Sequence, residues 1–529
     1  MHQERFPCAI YTDFRRRCPG GRTNCLIARA LPERTNPPCC ARLALILLFG
    51  RNMYIARHTF GAAHSALLIA VLFAQVSAAQ AAAAHDPAVF GGTEEPREGD
   101  GGPAREATAA ERADRVAPNW SESTLSGDWG GARQRLYDAG IELELLYTAD
   151  YLRNNSGGLK RGGGYMGHVD VILQLDGERL LGWQGGSAYL QLISNSGKRV
   201  NLNYVGSLMG VDNIEAPVNR SGIFRAWLQQ SFLDDKASLR LGLYPIDSEF
   251  YVTNSSGVFL HPSFGMAAEA GDFGTLAGPS IYPTSSWGAR LRVDPDPAWY
   301  AMLAVTRALP SDRAATAGPN ISWQQGIGSM VIGEVGLRPI ELGVFGETAP
   351  ATTVGDAADD FQSTSKLALG AWRFAPQFPE LVAVDAAGDA QTTTHWGAYV
   401  LGEQTLYRVP GSKRNLTGFI RYGITDGKTN NIDYSVSAGI AWQGVFAGRE
   451  DDVFGIAATR AHVGPQGREL LTADLGSALS STAETVVEIS YQAQLARGVI
   501  VQPVVQRIFN PGLSLPDSTV AGARLQLAF

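Results

Sequence analysis

Beyond Cys40 the 529-residue chain contains no cysteine; its five, Cys8, Cys18, Cys25, Cys39 and Cys40, all fall near the start. Their intervals do not repeat the CxxC spacing of a metal or disulfide module. Long apolar runs are missing too. Ala44–Phe49 and Ala66–Phe73 are far shorter than the roughly 20 residues that a membrane-crossing helix needs, and no later segment comes closer. Basic charge is scarce: Lys and Arg number 44 against 51 Asp and Glu, a formal net charge of -7. That balance argues against a nucleic-acid binder, which carries a basic field. A mean hydropathy of -0.06 excludes a bundle of membrane helices. It does not exclude a β-barrel, whose strands average lipid-facing with lumen-facing residues.

What is present begins with an export signal. From Met53 the chain reads MYIARHTFGAAHSALLIAVLFAQVSAAQ. Arg57 and His58 are its basic start, Ala66–Phe73 its apolar core and Ser77-Ala78-Ala79 a small-residue cleavage site. Residues 1–52 then read as an upstream start that is not part of the natural protein, and 53–79 as a signal peptide. Residues 80–120, rich in Ala, Gly, Pro, Glu and Arg, cannot bury enough apolar area to offset ordering entropy. They read as a flexible periplasmic leader, which leaves 121–529 as one folded unit.

Within that unit the recurring signal has period two. In HVDVILQLD, Val169, Val171, Leu173 and Leu175 share one face, while Asp170, Gln174 and Asp176 share the other. In TVVEISYQAQL, Val487, Ile489, Tyr491, Ala493 and Leu495 oppose Glu488, Ser490, Gln492 and Gln494. Such alternation fits a soluble sandwich as well as a barrel. Export, and separators that alternate short with long, favour the barrel. Asp234-Asp235-Lys236, Asp294–Pro297 and Arg497-Gly498 are short; Asp247–Ser285 and Gly464–Ser481 are long. The segments give an all-β fold, a transmembrane antiparallel barrel of 16 strands from Ile141 to the terminal VAGARLQLAF. Counting Ile340–Gly346 as strand rather than long turn leads toward 18. An even count places both ends in the periplasm.

Several stretches resemble the carbohydrate-selective porin family of the OprB type. LSGDWGGARQRLYDAGIELELLYTADYL, from Leu125 to Leu152, is similar to that family's opening block. SGGLKRGGGYMGHVDVILQLD, SFLDDKASLRLGLYPIDSEFYV and ISYQAQLARGVIVQPVVQRIFNPG follow in the family's order. The resemblance covers about 125–529 and is loosest over 307–394. It implies a 16-stranded outer-membrane porin selective for sugars.

A sugar pore needs polar partners for hydroxyls and a narrowing that brings them within reach. In FRAWLQQSF the alternation assigns Phe224, Ala226 and Leu228 to lipid and turns Arg225, Trp227 and Gln229 inward. The same logic points Arg240, Arg290 and Arg292 into the lumen. Guanidinium forks suit vicinal hydroxyls, and a flat ring such as Trp227 suits a sugar's apolar face. The segment Asp247–Ser285 is the candidate inward-folded constriction loop, with Asp247 and Glu249 set against the arginines and Phe259, His261, Phe264, Asp272 and Tyr282 behind them. These residues also read as solvated rim groups or as mutual structural pairs. Trp129 and its glycines read as an anchor for the start of the first strand. The glycines of GGLKRGGGYMG, with no helix after them, read as a flexible extracellular loop rather than a phosphate loop.

The expected partners are sugar solutes, outer-membrane lipid and lipopolysaccharide, and copies of the chain if it trimerises rather than staying a monomer. No nucleic-acid patch, cofactor motif or metal site stands out, although calcium in acidic loops stays open. Three rivals remain: a general diffusion porin without sugar preference, a barrel with a blocked lumen, and a barrel enzyme. For the last, His168, His261, His395 and His462 sit in no catalytic motif.

Overall fold

The computed structural model describes residues 117–529 except 218, 272–278, 297, 309–327, 339–364 and 410–411. The upstream segment, the signal peptide, nearly all of the leader, the run 340–346 and Asp272 therefore lie outside the described residues.

Among the described residues the chain forms sixteen strands. The first four are β1 (Ile141–Ser156), β2 (Gly162–Asp176), β3 (Gly186–Gly197) and β4 (Ser221–Phe232). Next come β5 (Ala237–Tyr244), β6 (Ser286–Asp296), β7 (Trp299–Arg307) and β8 (Ser329–Leu337). β9 (Lys366–Val384), β10 (Ala390–Arg408), β11 (Asn415–Thr425) and β12 (Ile432–Gln443) follow. β13 (Val453–Val463), β14 (Ala483–Ala496), β15 (Val499–Phe509) and β16 (Ser518–Ala528) complete the set. Each strand pairs antiparallel with its successor, and β16 returns to β1 with Leu527 opposite Tyr147, so no edge is left open.

Side-chain alternation sets the two surfaces. In β5, Ser238 and Arg240 are buried while Leu239 and Leu241 point out. The outer surface is an apolar band that includes Leu228, Leu369 (63% exposed) and Ile420. A soluble protein does not leave such a band in water; a bilayer covers it. Aromatic rings bound the band at both ends: Tyr151, Tyr165, Trp396 and Tyr422 on the outer side, Phe232, Trp299, Tyr407 and Phe446 on the periplasmic side.

Two local departures from simple alternation matter. A bulge interrupts the β3–β4 register, so that Gln191 faces Arg225 while Leu192 faces Ile223, and Phe224 is the extra residue. Phe224 therefore turns inward and packs edge-on to Tyr282, with ring centroids 5.7 Å apart. This corrects the assignment of Phe224 to lipid; Leu228 keeps that face. The second departure is the glycine run after Arg161, which is strand rather than loop from Gly162 onward. A Cβ on Gly162 would lie 2.3 Å from the Tyr204 ring, so only glycine lets the inward-folded 198–220 segment lie against β2.

At the periplasmic end a short helix, α1 (Ala132–Asp138), closes the seam between β1 and β16. The turn before it takes left-handed backbone at Trp129, Gly130 and Gly131, with φ of 55, 66 and 79°, which explains the paired glycines. Arg133 then donates to Thr124 Oγ1 (2.9 Å), Gly127 O (3.1 Å), Leu143 O (3.1 Å) and Phe529 O (2.6 Å). Trp120, placed in the leader by sequence, is buried edge-on to Tyr137 at 5.8 Å. One guanidinium thus ties both ends of the barrel together. Arg133→Ala strands those acceptors and is expected to cost about 3 kcal/mol of unfolding free energy, read from urea titration of the refolded barrel. An unchanged midpoint would refute the anchoring role.

Candidate functional site

The described residues of two connections fold into the lumen, those of 198–220 after β3 and of 245–285 after β5. The longer one is held by inward-facing side chains of the wall, and the pattern is consistent. Carboxylates on the strands accept hydrogen bonds from its backbone N–H groups. Glu403 takes Asn254 (3.0 Å) and Ser255 (2.5 Å), and Glu488 takes Leu260 (2.7 Å) and His261 (2.9 Å). Glu334 accepts from the Tyr300 and Tyr399 hydroxyls at 2.6 Å each, and from Tyr251 N at 3.4 Å. Arg421 donates to the carbonyls of Tyr251 (3.2 Å), Ser263 (3.3 Å), Gly265 (2.8 Å) and Phe264. Behind these bonds the loop buries Ile246, Phe250, Tyr251 and Met266 against Met302, Ile332, Trp372 and Phe374 of β7–β9. Through these residues the loop is part of the core.

On the opposite side the loop meets the predicted arginines. Glu249 bridges two of them: Arg240 Nη1 lies 2.6 Å from Oε1 and Arg290 Nε 2.5 Å from Oε2. Gln229 Oε1 accepts from both, at 2.8 and 3.0 Å, and Ser238 Oγ takes Arg290 Nη1 at 2.6 Å. All three charged groups are buried. Trp227 is buried as well, with the Arg240 guanidinium 3.7 Å over one face and Tyr189 stacked 5.1 Å away at an interplanar angle of 4°. Those neighbours occupy the ring, which corrects the idea of an open platform for a sugar. Arg292 sits nearer the periplasm and pairs with Asp294 (2.6 Å), its guanidinium 5.2 Å from the Tyr300 ring.

Arg225 and Asp247 differ from these in being half-buried rather than fully enclosed. Asp247 accepts from Tyr282 N at 3.2 Å. Burial pushes its carboxyl up to about 6, against the opposing pulls of that hydrogen bond and of the Arg225 charge. Of the other loop candidates, Phe259, His261 and Phe264 are buried. His261 caps a turn by accepting from Ser263 N at 3.3 Å, and burial drives its pKa down to about 3, so it carries no charge.

Tyr282 belongs to a second polar cluster that sequence reading did not assemble. Its hydroxyl reaches Asn195 and lies 3.3 Å from His168 Nδ1. His168 Nε2 is 2.9 Å from Asp170, which accepts from Gln191 at 2.8 Å. Beside it Arg524 pairs with Asp150 at 2.7 Å, with Asp212 at 3.5 Å, and donates to Asn213 at 2.5 Å. Glu484 accepts from Leu208 N (2.9 Å), Met209 N (3.2 Å) and Gly512 N (2.8 Å), so the 198–220 segment is tied to the wall on the same plan. Alternation alone turns Asp150, Asp170 and Arg524 inward; that Asp150 stands opposite Arg524 depends on register, which a period of two does not supply.

Comparison with known proteins agrees with this architecture. Residues 160–529 match the family described as carbohydrate-selective porin, OprB family. Porin B of Pseudomonas aeruginosa is 24% identical over 463 residues, covering 80% of this chain and 94% of that protein. A putative porin, QuiX, of Acinetobacter baylyi is 21% identical over 444 residues, covering 78% and 94%. The structure of Pseudomonas putida OprB at high pH superposes with a TM-score of 0.67 at 20% identity, over 78% of this chain and all of that one, which establishes the shared fold.

Proposed function

Because this chain belongs to the carbohydrate-selective porin family, OprB type, and is an outer-membrane porin through which carbohydrates diffuse passively, we propose that its sugars are selected where Arg225 meets Asp247. The observation that carries this reading is the difference in exposure within one charged group. Arg240 and Arg290 are buried and held by Glu249 and Gln229, which fixes the loop to the wall, while Arg225 and Asp247 are only half-buried. A guanidinium donor facing a carboxylate acceptor suits a sugar, whose adjacent hydroxyls both accept and donate. Trp227, Arg240, Glu249 and Arg290 then act as the frame that positions this pair, and Arg292 belongs to the periplasmic side. On this reading the barrel is a conduit and not a catalyst, with bilayer lipid as its surroundings.

Arg225→Ala is expected to lower the permeation of glucose relative to an amino acid of similar size at least threefold, in swelling assays on vesicles carrying the refolded protein. Equal rates for both solutes in the unaltered protein would make it a general diffusion porin. The Asp247 carboxyl adds a pH signature. It is ionised above about 6 and neutral below, so acidification from pH 8 to 5 removes one negative charge beside Arg225. Reversal potentials should shift toward anions over that range, and Asp247→Asn should abolish the shift.

A further inference from the structure

Arginine directed at lipid is costly unless an anion meets it. Strand alternation turns Arg153, Arg460 and Arg507 outward, because the residues on either side of each are buried inside the barrel. The three stand near the outer ends of β1, β13 and β15, and register brings them into a row. Arg460 is opposite Thr485, which is opposite Phe509, the next outward residue after Arg507. Arg507 is opposite Thr519, and the next outward residue on β16, Ala521, faces Arg153. Successive arginines are thus two strands across and two residues along, about 12 Å apart.

Arg507 is paired with Asp517 at 3.2 Å, whereas Arg153 and Arg460 have no carboxylate partner among the described residues; Arg460 donates to Thr485 Oγ1 at 3.1 Å. The nearby carboxylate of Asp433 is engaged by His462 at 2.6 Å. Lys160 and Arg161, both exposed, extend the positive charge above β1.

We propose that this row is a binding site for the phosphate groups of a phosphorylated glycolipid in the outer leaflet. Below it on the same strands Ile456 and Val505 are exposed members of the apolar band, so the row stands at the outer edge of that band. A lipid-facing arginine costs about 2–4 kcal/mol at mid-bilayer and little near the interface, where anionic headgroups attract basic side chains. Guanidinium groups bind phosphate through paired N–H donors, which amines do not match in geometry. The partly exposed Tyr151 ring on β1 flanks the row at the depth where aromatic side chains favour headgroups.

The proposal rests on the outer-membrane location, and its test separates the two. Detergent-extracted protein is titrated with bisphosphorylated lipid A, and bound lipid is counted by native mass spectrometry beside the double variant Arg153→Gln, Arg460→Gln. Neither residue holds a carboxylate, so the barrel should keep its single-channel conductance. The expected result is retention weakened at least tenfold in the variant, with dephosphorylated lipid A held at that weaker level by both proteins. Equal retention by variant and parent, or equal retention of the two lipids by the parent, would overturn the site.

Discussion

With Glu249 replaced by glutamine, the channel should pass larger ion currents, prefer anions more strongly and bind sugar at least tenfold more weakly. Glu249 lies between Arg240 and Arg290, at 2.6 and 2.5 Å, and all three groups are buried. Glutamine keeps the shape and removes the charge, so two buried guanidinium groups lose the carboxylate that lies between them. Breaking a buried pair in this way costs on the order of 3–5 kcal/mol, because the remaining charge is desolvated without a partner. The loop can relieve that cost only by moving away from the wall or by admitting an anion from solution. Either response widens the passage and makes it more positive. It also displaces Asp247, two residues earlier on the same loop, from its place beside Arg225. A tenfold loss of sugar binding corresponds to about 1.4 kcal/mol, well inside what the broken pair releases. Conductance, reversal potential and sugar block in planar bilayers read all three effects; a variant with unchanged values would show that Glu249 does not hold the constriction.

Loss of Arg421 should have the second largest effect, from the other side of the loop. Its guanidinium gathers the carbonyl of Tyr251 and those of Ser263, Phe264 and Gly265, the last carbonyls of a one-turn helix (Pro262–Gly265) that lack intrahelical partners. Arg421→Ala leaves buried acceptors without donors, at about 1–3 kcal/mol for each one that water does not reach. The apolar packing of Phe250 and Tyr251 against β7–β9 remains, so the barrel should still fold while the 263–265 turn loosens. The expected readout is current noise and a higher mean single-channel conductance, with a lowered barrel melting temperature. Arg421→Lys, a single-point donor, should restore only part of the parent behaviour. A quiet channel of parental conductance in the alanine variant would mean that the loop is held without Arg421.

Much of this architecture is written in the alternation of the strands. The lipid faces of β5, β6 and β14, the inward placement of Arg225, Arg240, Arg290 and Arg292, and the position of the constriction segment between β5 and β6 all follow from a period of two and from separator length. Phe224 escaped because a bulge adds one residue without any composition signal, and a single insertion reverses the face of everything before it. The role of Trp227 escaped for a different reason. Alternation turns it inward, but only packing reveals that Arg240 and Tyr189 cover both sides of the ring. The anchoring carboxylates Glu334, Glu403 and Glu488 look in sequence like any lumen-facing charge, since their partners are backbone groups far along the chain. Side-chain type can be read locally; which backbone N–H it serves depends on how the loop closes.

The most direct test of the account is single-channel conductance of the refolded protein in a planar bilayer while glucose is titrated in. A porin that selects sugars at a fixed constriction should show conductance falling to a plateau with a saturable midpoint, and Arg225→Ala should raise that midpoint at least tenfold. Conductance that declines only in proportion to the viscosity of the added sugar, alike in parent and variant, would contradict a sugar site at Arg225 and Asp247.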